Sequence, residues 1–436
     1  MRSGTWKRLN RWVALASRQC TGKMPVAPGN HRARIAIVLL PAVLVAGGYA
    51  AAEGPPEAPL GLTIRLDVAK QELSPDYCWF HPRPAAVPGA GRDGKPAVIV
   101  TLQKHLQVSD YYSGLWTMRT DDLGETWTGP TEIPELGWVR EPNGIVVAVA
   151  DVTPGWHAPS KRLLAIGCSV RYSPKGRQLD DTKRPSQTAY AVHDPESGTW
   201  SRWQTLEMPA DEKFDFARCA CCQWLVEPDG TLLLPIYFGK SAGKPASVTV
   251  VRCRFDGERL TYVEHGTELE LDVVRGLCEP SLVRFGGRYY LTIRNDVKGY
   301  VTAGHDGLHF GPIRPWTFDD GAELGSYNTQ QHWLAHRDGL FLIYTRRGAN
   351  NDHIFRHRAP LFIAQVAPER LWVLRPTEKV LIPERGAQMG NFGAAPIDEH
   401  ESWVTVAEYI SKGQPHPRGA DGSVFVARVL WSKPNQ

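Results

Sequence analysis

The stretch Thr120-Asp121-Asp122-Leu123-Gly124-Glu125-Thr126-Trp127 reads as a tight turn set between two strands. Asp122 can accept hydrogen bonds from backbone amides that such a turn leaves unpaired. Gly124 can take a positive φ, and Trp127 offers a broad apolar plate for packing between sheets. Weaker versions of the pattern stand at His305-Asp306-Gly307-Leu308-His309-Phe310 and over residues 194–200. A turn of this kind marks a fold and carries no chemistry by itself.

Outward from that turn, one theme recurs: a short apolar strand, a turn with Asp and Gly, and a strand ending in an aromatic. Examples are Pro96-Ala97-Val98-Ile99-Val100, Leu232-Leu233-Leu234-Pro235-Ile236-Tyr237, Tyr289-Tyr290-Leu291-Thr292-Ile293 and Leu340-Phe341-Leu342-Ile343-Tyr344, the last preceded by the tight-turn pair Asp338-Gly339. Units begin near Tyr77, Trp138, Phe216, Gly276, Ser326 and Gln388. A spacing of roughly 50–60 residues suits propeller blades with long loops. The expectation is an all-β, six-bladed β-propeller over residues 77–436, its ring closed by Ser423–Trp431 against residues near Gly61 to Leu66. Closure leaves only short, protected edges. A seventh blade or a two-sheet sandwich would use the same strands.

Composition agrees with many short strands and turns: 15 Trp, 41 Gly and 34 Pro in 436 residues, with few runs of helical period. The formal charge of +4 is carried by the N-terminus. Residues 1–52 hold eight Lys/Arg and no Asp/Glu, so the remainder has 42 basic against 46 acidic residues. Such a surface gives no reason to expect nucleic-acid binding. Arg32 and Arg34 precede an apolar run over residues 35–46, and Ala50-Ala51-Ala52 follow. This reads as a secretory signal peptide with an upstream extension, cleaved near Ala52, for a secreted or periplasmic protein. The run is short for a membrane span, so membrane attachment would come only through an uncleaved signal. Residues 53–76 read as a linker with a possible closing strand.

Seven cysteines follow Ala52, three of them in Cys219-Ala220-Cys221-Cys222. Buried thiols, a disulfide using Cys78 or Cys278, and a metal site are all open. The spacing lacks the second half of a zinc motif, so no metal and no cofactor are expected.

The octapeptide resembles the Asp box of sialidase-type propellers, and the similarity to sialidases extends over most of residues 77–431. The resemblance implies a pocket in which three arginines clamp a substrate carboxylate, an aspartic acid serves as acid/base, and a glutamate activates a tyrosine nucleophile. Arg83, in His81-Pro82-Arg83-Pro84, matches the first arginine, and Asp110 the acid/base. Glu279, in Cys278-Glu279-Pro280, matches the glutamate, and Arg294, in Arg294-Asn295-Asp296, the second arginine. Arg358 best fits the third, with Arg346, Arg347 and Arg356 as competitors. The tyrosine is expected in Gly390-Asn391-Phe392-Gly393, where Phe392 has no hydroxyl. Tyr344 is taken as the substitute, with Tyr327 and Tyr409 as alternatives.

The expected function is an exported sialidase-like glycoside hydrolase acting on an acidic glycan, sialic or uronic. Arginine forks match carboxylates, which is why an anionic sugar suits the cluster. His81 beside Arg83, with a tyrosine, equally suits a uronate-specific lyase or an atypical glycosidase, in which a base removes the proton next to a neutralised carboxylate. A non-catalytic carbohydrate-binding propeller is the third reading. Trp79, Trp116, Trp224 and Trp333 are candidate sugar-stacking platforms.

Overall fold

The computed structural model describes residues 60–179, 185–240 and 245–435. The targeting segment and residues 53–59 of the linker lie outside them. Among the described residues no helix is long and apolar enough to cross a membrane.

The described chain is all-β, with short 3-10 turns between strands. Its first sheet is a meander of Cys78–Val87, Ala97–His105, Tyr112–Thr120 and Thr128–Glu132. Further meanders run Cys278–Phe285, Arg288–Arg294, Gly299–Gly304, Arg314–Pro315, and His332–His336, Gly339–Tyr344, Leu361–Ala367 with two short outer strands. In a fourth sheet Gly393–Pro396 pairs with Glu401–Ala407, which pairs with Ser423–Trp431. Leu62–Gln71 completes it, Leu62 opposite Trp431, so the first described strand is zipped to the last.

One sheet differs from the six separate blades expected. It has eleven strands, because Phe216–Arg218 pairs parallel with Ser186–Asp194 on one side and antiparallel with Leu232–Gly239 on the other. Two antiparallel runs, one from Val146–His157 and one from Leu232–Gly239, are thereby fused into a single ladder.

Burial falls from the inside outward. Cys78–Val87 is buried at nine of ten positions, whereas Thr128–Glu132 is mostly exposed. Middle strands such as Leu232–Gly239 are apolar throughout because both faces are covered by neighbouring sheets. The tryptophans fill those interfaces: Trp316 and Trp333 lie 5.7 Å apart, and Trp127 packs 6.0 Å from Trp403. The turn before Trp127 holds itself together through Asp122. Its Oδ1 accepts from Thr126 N (2.8 Å) and Thr120 Oγ1 (2.9 Å), and its Oδ2 from Thr126 Oγ1 (2.6 Å). These bonds, chiefly those from Thr126, hold the Asp122 carboxyl down at about 2.

The innermost segments are tied in sequence by hydrogen bonds from each to the next. Arg83 Nη1 donates to Val152 O (3.1 Å), Cys221 N to Asp151 O (3.1 Å), and Leu282 N to Gln223 O (3.0 Å). Trp333 Nε1 donates to Ser281 O (2.9 Å), His332 Nε2 contacts Phe392 O (3.1 Å), and Thr405 Oγ1 donates to Pro82 O (2.6 Å). Gln223 reaches across the middle: its Nε2 donates to Trp333 O (3.0 Å) and Ala394 O (3.1 Å), while its Oε1 accepts from Trp333 N (2.6 Å). The arrangement is that of a propeller, with its inner strands around one axis.

Candidate active site

Five non-glycine residues on or beside the inner segments take left-handed backbone conformations: His81 (φ 52°), Asp151 (57°), Cys221 (55°), Glu279 (47°) and Asn328 (54°). At three of them the strand register skips, between Phe80 and Arg83, Ala150 and Thr153, and Cys278 and Ser281. A bulge releases one residue from the ladder and re-aims its side chain. Each left-handed non-glycine residue costs on the order of 1 kcal/mol or more, and such strain gathers at functional sites. Here it turns His81, Asp151, Cys221 and Glu279 into one pocket of about 330 Å³ at the end of the axis.

On one wall, His81 Nε2 lies 3.0 Å from Asp151 Oδ1, and His81 Nδ1 is buried without a partner. Burial opposes the Asp151 charge, but His81, Arg83 and the Cys221 thiol together hold its carboxyl well below the usual range. His105 joins this wall; burial first, and then His81, push its imidazole down to about 4. Tyr112 Oη donates to Asp110 Oδ1 (3.2 Å), and burial and then that carboxylate raise the phenol far above its ordinary value. Tyr409 packs 5.0 Å from His105.

On the opposite wall, Arg294 Nη1 is paired with Glu279 Oε1, while its Nη2 reaches Asn328 Oδ1 (2.8 Å) and Asp296 Oδ1 (3.2 Å). Glu279 Oε2 is buried and unpartnered. Arg358 donates from Nε (3.2 Å) and Nη2 (2.6 Å) to Asn328 O. Burial, with Arg294 and Arg356 nearby, lowers its guanidinium to about 10. Arg218, Arg275 and Arg356 complete a lining in which arginines outnumber carboxylates.

The structure thus brings His81, Asp110, Glu279, Arg294 and Arg358 into one pocket. It does not bring Arg83 or Tyr344 there. Arg83 is 1% exposed, and its fork is occupied by Val152 O and by Cys221 Sγ (3.0 Å). Tyr344, at the end of the second strand of its sheet, is buried between sheets and donates to Glu378 Oε2 (2.6 Å). Tyr327 is held at His357 (2.6 Å). Phe392 is core, 5.1 Å from His332, and the glycines around it have a packing reason. A Cβ at Gly390 would meet Arg358 Cδ at 2.3 Å, and one at Gly393 would meet Arg83 Cγ at 2.7 Å. The segment read as the place of a nucleophile is a bed for two arginines.

Asp151, Tyr112, Cys221, Arg218 and Arg275 were not assigned from the sequence. A signal existed: a single polar residue interrupts an apolar inner strand in three units, as in Ala-Asp151-Val, Phe-His81-Pro and Cys-Glu279-Pro. The tryptophans proposed as sugar platforms are elsewhere. Trp224 and Trp333 line a second cavity, and Trp79 and Trp116 flank Lys104 Nζ at 5.3 and 3.9 Å.

All seven described cysteines are buried, and no disulfide joins Cys78 or Cys278 to the Cys219 cluster. The ligand atoms of His81, Asp151 and Cys221 lie within 4.8 Å of one another, a set that could hold zinc. Arg83 Nη2 on the Cys221 sulfur opposes a dication there, and burial, with Asp151 next, keeps that thiol protonated.

Comparison with solved structures gives a consistent architecture. A protein of unknown function from Dyadobacter fermentans aligns with a TM-score of 0.57 at 13% identity, over 84% of this chain and 98% of its own. A Trypanosoma rangeli sialidase bound to the inhibitor DANA aligns at 0.53 and 13%, over 81% of this chain. The NanB sialidase of Streptococcus pneumoniae aligns at 0.54 and 10%, over 83%. The chain has a sialidase-like β-propeller fold. It spans 55% of the trypanosomal chain and 70% of NanB. No family model matches the sequence, and no curated protein does.

Proposed function

We propose that this sialidase-like propeller is a glycoside hydrolase that binds an acidic sugar in the axial pocket. The carrying observation is the convergence of Arg294 and Arg358 with Asp110 and Glu279 in one cavity. The excess of guanidinium over carboxylate favours an anionic ligand. Arg294 and Arg358 hold the substrate carboxylate. Asp110 is the acid for the leaving oxygen. Glu279, paired with Arg294 through Oε1 and with Oε2 free, serves as the base for water, because no tyrosine hydroxyl is bonded to it. The test is a screen of sialosides and uronate polymers with mass spectrometry of products. Free acidic sugar carrying oxygen from labelled water, lost in Arg294→Ala, supports the reading; no cleavage of any sialoside or uronate polymer in the screen sinks it.

One observation favours a lyase instead: the His81–Asp151 pair, which leaves an imidazole nitrogen unpartnered beside Tyr112. A lyase would leave an unsaturated uronate absorbing in the ultraviolet, with no label from water.

The eleven-stranded sheet counts as two blades in this reading, because the inner segments are bonded in six successive steps around the axis. The turn at Asp122 is then one Asp box of the set. The signal read in residues 1–52 places the activity outside the cytoplasm, and N-terminal sequencing of the exported protein checks it.

A further inference from the structure

Arg218 ends the short strand Phe216–Arg218 that fuses the two halves of the large sheet. It is 7% exposed and lines the axial pocket, its guanidinium 4.0 Å above the Phe216 ring and 5.9 Å from that of Tyr237. Its Nε and Nη2 are buried with no hydrogen-bond partner. Among the described residues no carboxylate lies within 4.0 Å of it.

Those two atoms form one edge of the guanidinium plane, the edge that grips an oxyanion side-on. Other arginines leave Nε alone unpartnered, among them Arg83, Arg171 and Arg294, but each of these has Nη2 bonded, and in three cases the whole edge is filled. Arg428 gives Nε and Nη2 to Glu401 at 2.6 and 2.8 Å, and Arg346 gives them to Glu378 at 2.9 and 2.7 Å. Arg358 gives both to Asn328 O. A buried cation without a counter-ion is costly, and an unmatched donor pair adds to the cost. The aromatic rings offset part of the charge and the Tyr237 hydroxyl helps to hold the guanidinium, but Nε and Nη2 stay without partners. A ligand oxyanion would satisfy both.

We propose that Arg218 is a substrate-binding residue, taking an oxyanion of the sugar side-on through Nε and Nη2 in the place that the resemblance had assigned to Arg83. The ligand chemistry is a carboxylate or a sulfate ester on a sugar. This deepens the acidic-sugar reading and rests on it. Arg83 is excluded because its fork is already bonded inside the ring.

The experiment is calorimetric titration of the full chain with sodium glucuronate, with glucose 6-sulfate and with glucose, for the native protein, Arg218→Gln and Arg218→Lys. The expected result is that Arg218→Gln weakens at least one anionic probe by about tenfold or more, with Arg218→Lys intermediate and glucose unaffected. Whichever probe responds identifies the oxyanion. Unchanged affinity for both anionic probes in a folded Arg218→Gln protein overturns the proposal, as does absence of any anion binding by the native chain. Should the glutamine variant fail to fold, crystals of the native protein soaked in selenate decide it. An anomalous peak within hydrogen-bonding distance of Arg218 Nε and Nη2 supports the site, and a peak elsewhere in the pocket or none overturns it. Because binding is read without turnover, failure here is distinct from failure of the hydrolase reading, which the product screen detects.

Discussion

At one end of the axis the inner segments begin with His81, Asp151, Cys221 and Glu279; at the other the same segments continue through Ala85, Pro154, Leu225 and Leu282. The first end is a pocket of about 330 Å³ walled by arginine, carboxylate, histidine and tyrosine. The second is a cavity of about 570 Å³ lined by Trp156, Trp224, Trp333 and aliphatic side chains. The backbone differs in the same sense. Bulges and left-handed residues cluster at the polar end, whereas at the apolar end regular ladder runs on and glycine appears for space. A Cβ on Gly155 would meet the Trp224 ring at 2.5 Å. Three or four residues along each inner segment separate a strained, charged surface from a relaxed, mostly apolar one. The lesson is that the ladder supplies the stability and the irregularities in it supply the site.

The contrast breaks most sharply at Arg294. Arg294→Ala leaves Glu279 buried without its partner, so stability should drop by about 3 kcal/mol in urea unfolding, and acidic-sugar turnover by about a thousandfold. Glu279→Gln keeps the shape and removes the base; it should lower turnover by roughly a hundredfold or more with little change in melting temperature. At the other end, Trp224→Ala should cost about 2 kcal/mol of stability and leave turnover within about twofold, since that half-buried ring only packs and donates to Thr153 O. Loss of turnover there would erase the division between the ends.

Two buried histidines give a smaller effect, with a defined sign. His105 is held down at about 4, and His332 at about 3, by burial first and by nearby positive or ionisable groups second. Between pH 6.5 and 4 the unfolded chain binds protons on these histidines that the folded chain does not. Stability should therefore fall as pH falls through that window, by up to about 1.4 kcal/mol per pH unit for each. His332→Asn should flatten the slope; an unchanged slope would show that other groups control it. The smallest effect is at the turn. Asp122, depressed to about 2, contributes stability that is complete above its unfolded range and is lost as pH drops from about 4 to 2. Asp122→Asn should remove that acid-limb loss while leaving turnover unaltered.

The sheets were legible because apolar strands and Asp-Gly turns repeat, and because aromatic residues fall at strand ends where neighbouring sheets need them. Glu279 and Arg294 could be paired from their spacing because they sit on adjacent antiparallel strands, Cys278 opposite Arg294. Asp151 was hidden inside Val-Ala-Asp-Val, where a ladder with no bulge would have turned it away from the axis. Arg83 and Tyr344 show the reverse difficulty. Each stands at a plausible position along the chain, but which way the side chain leaves the strand depends on a register skip for Arg83 and on sheet stacking for Tyr344. Neither is written in residue type. The fusion of two blades was invisible for a similar reason, since a three-residue strand carries almost no periodicity.

Gln223 has a further consequence. With its amide bonded to Trp333 and Ala394 from the far side of the ring, it acts as a stopper between the two openings. The two cavities share no lining residue, so the charged mouth has the form of a cup and not of a pipe. On the proposed hydrolase reading, a long glycan is not drawn through the ring; a chain end dips into the charged mouth and back out again, so each turnover is one visit to a dead end and a polymer would be shortened from its tips.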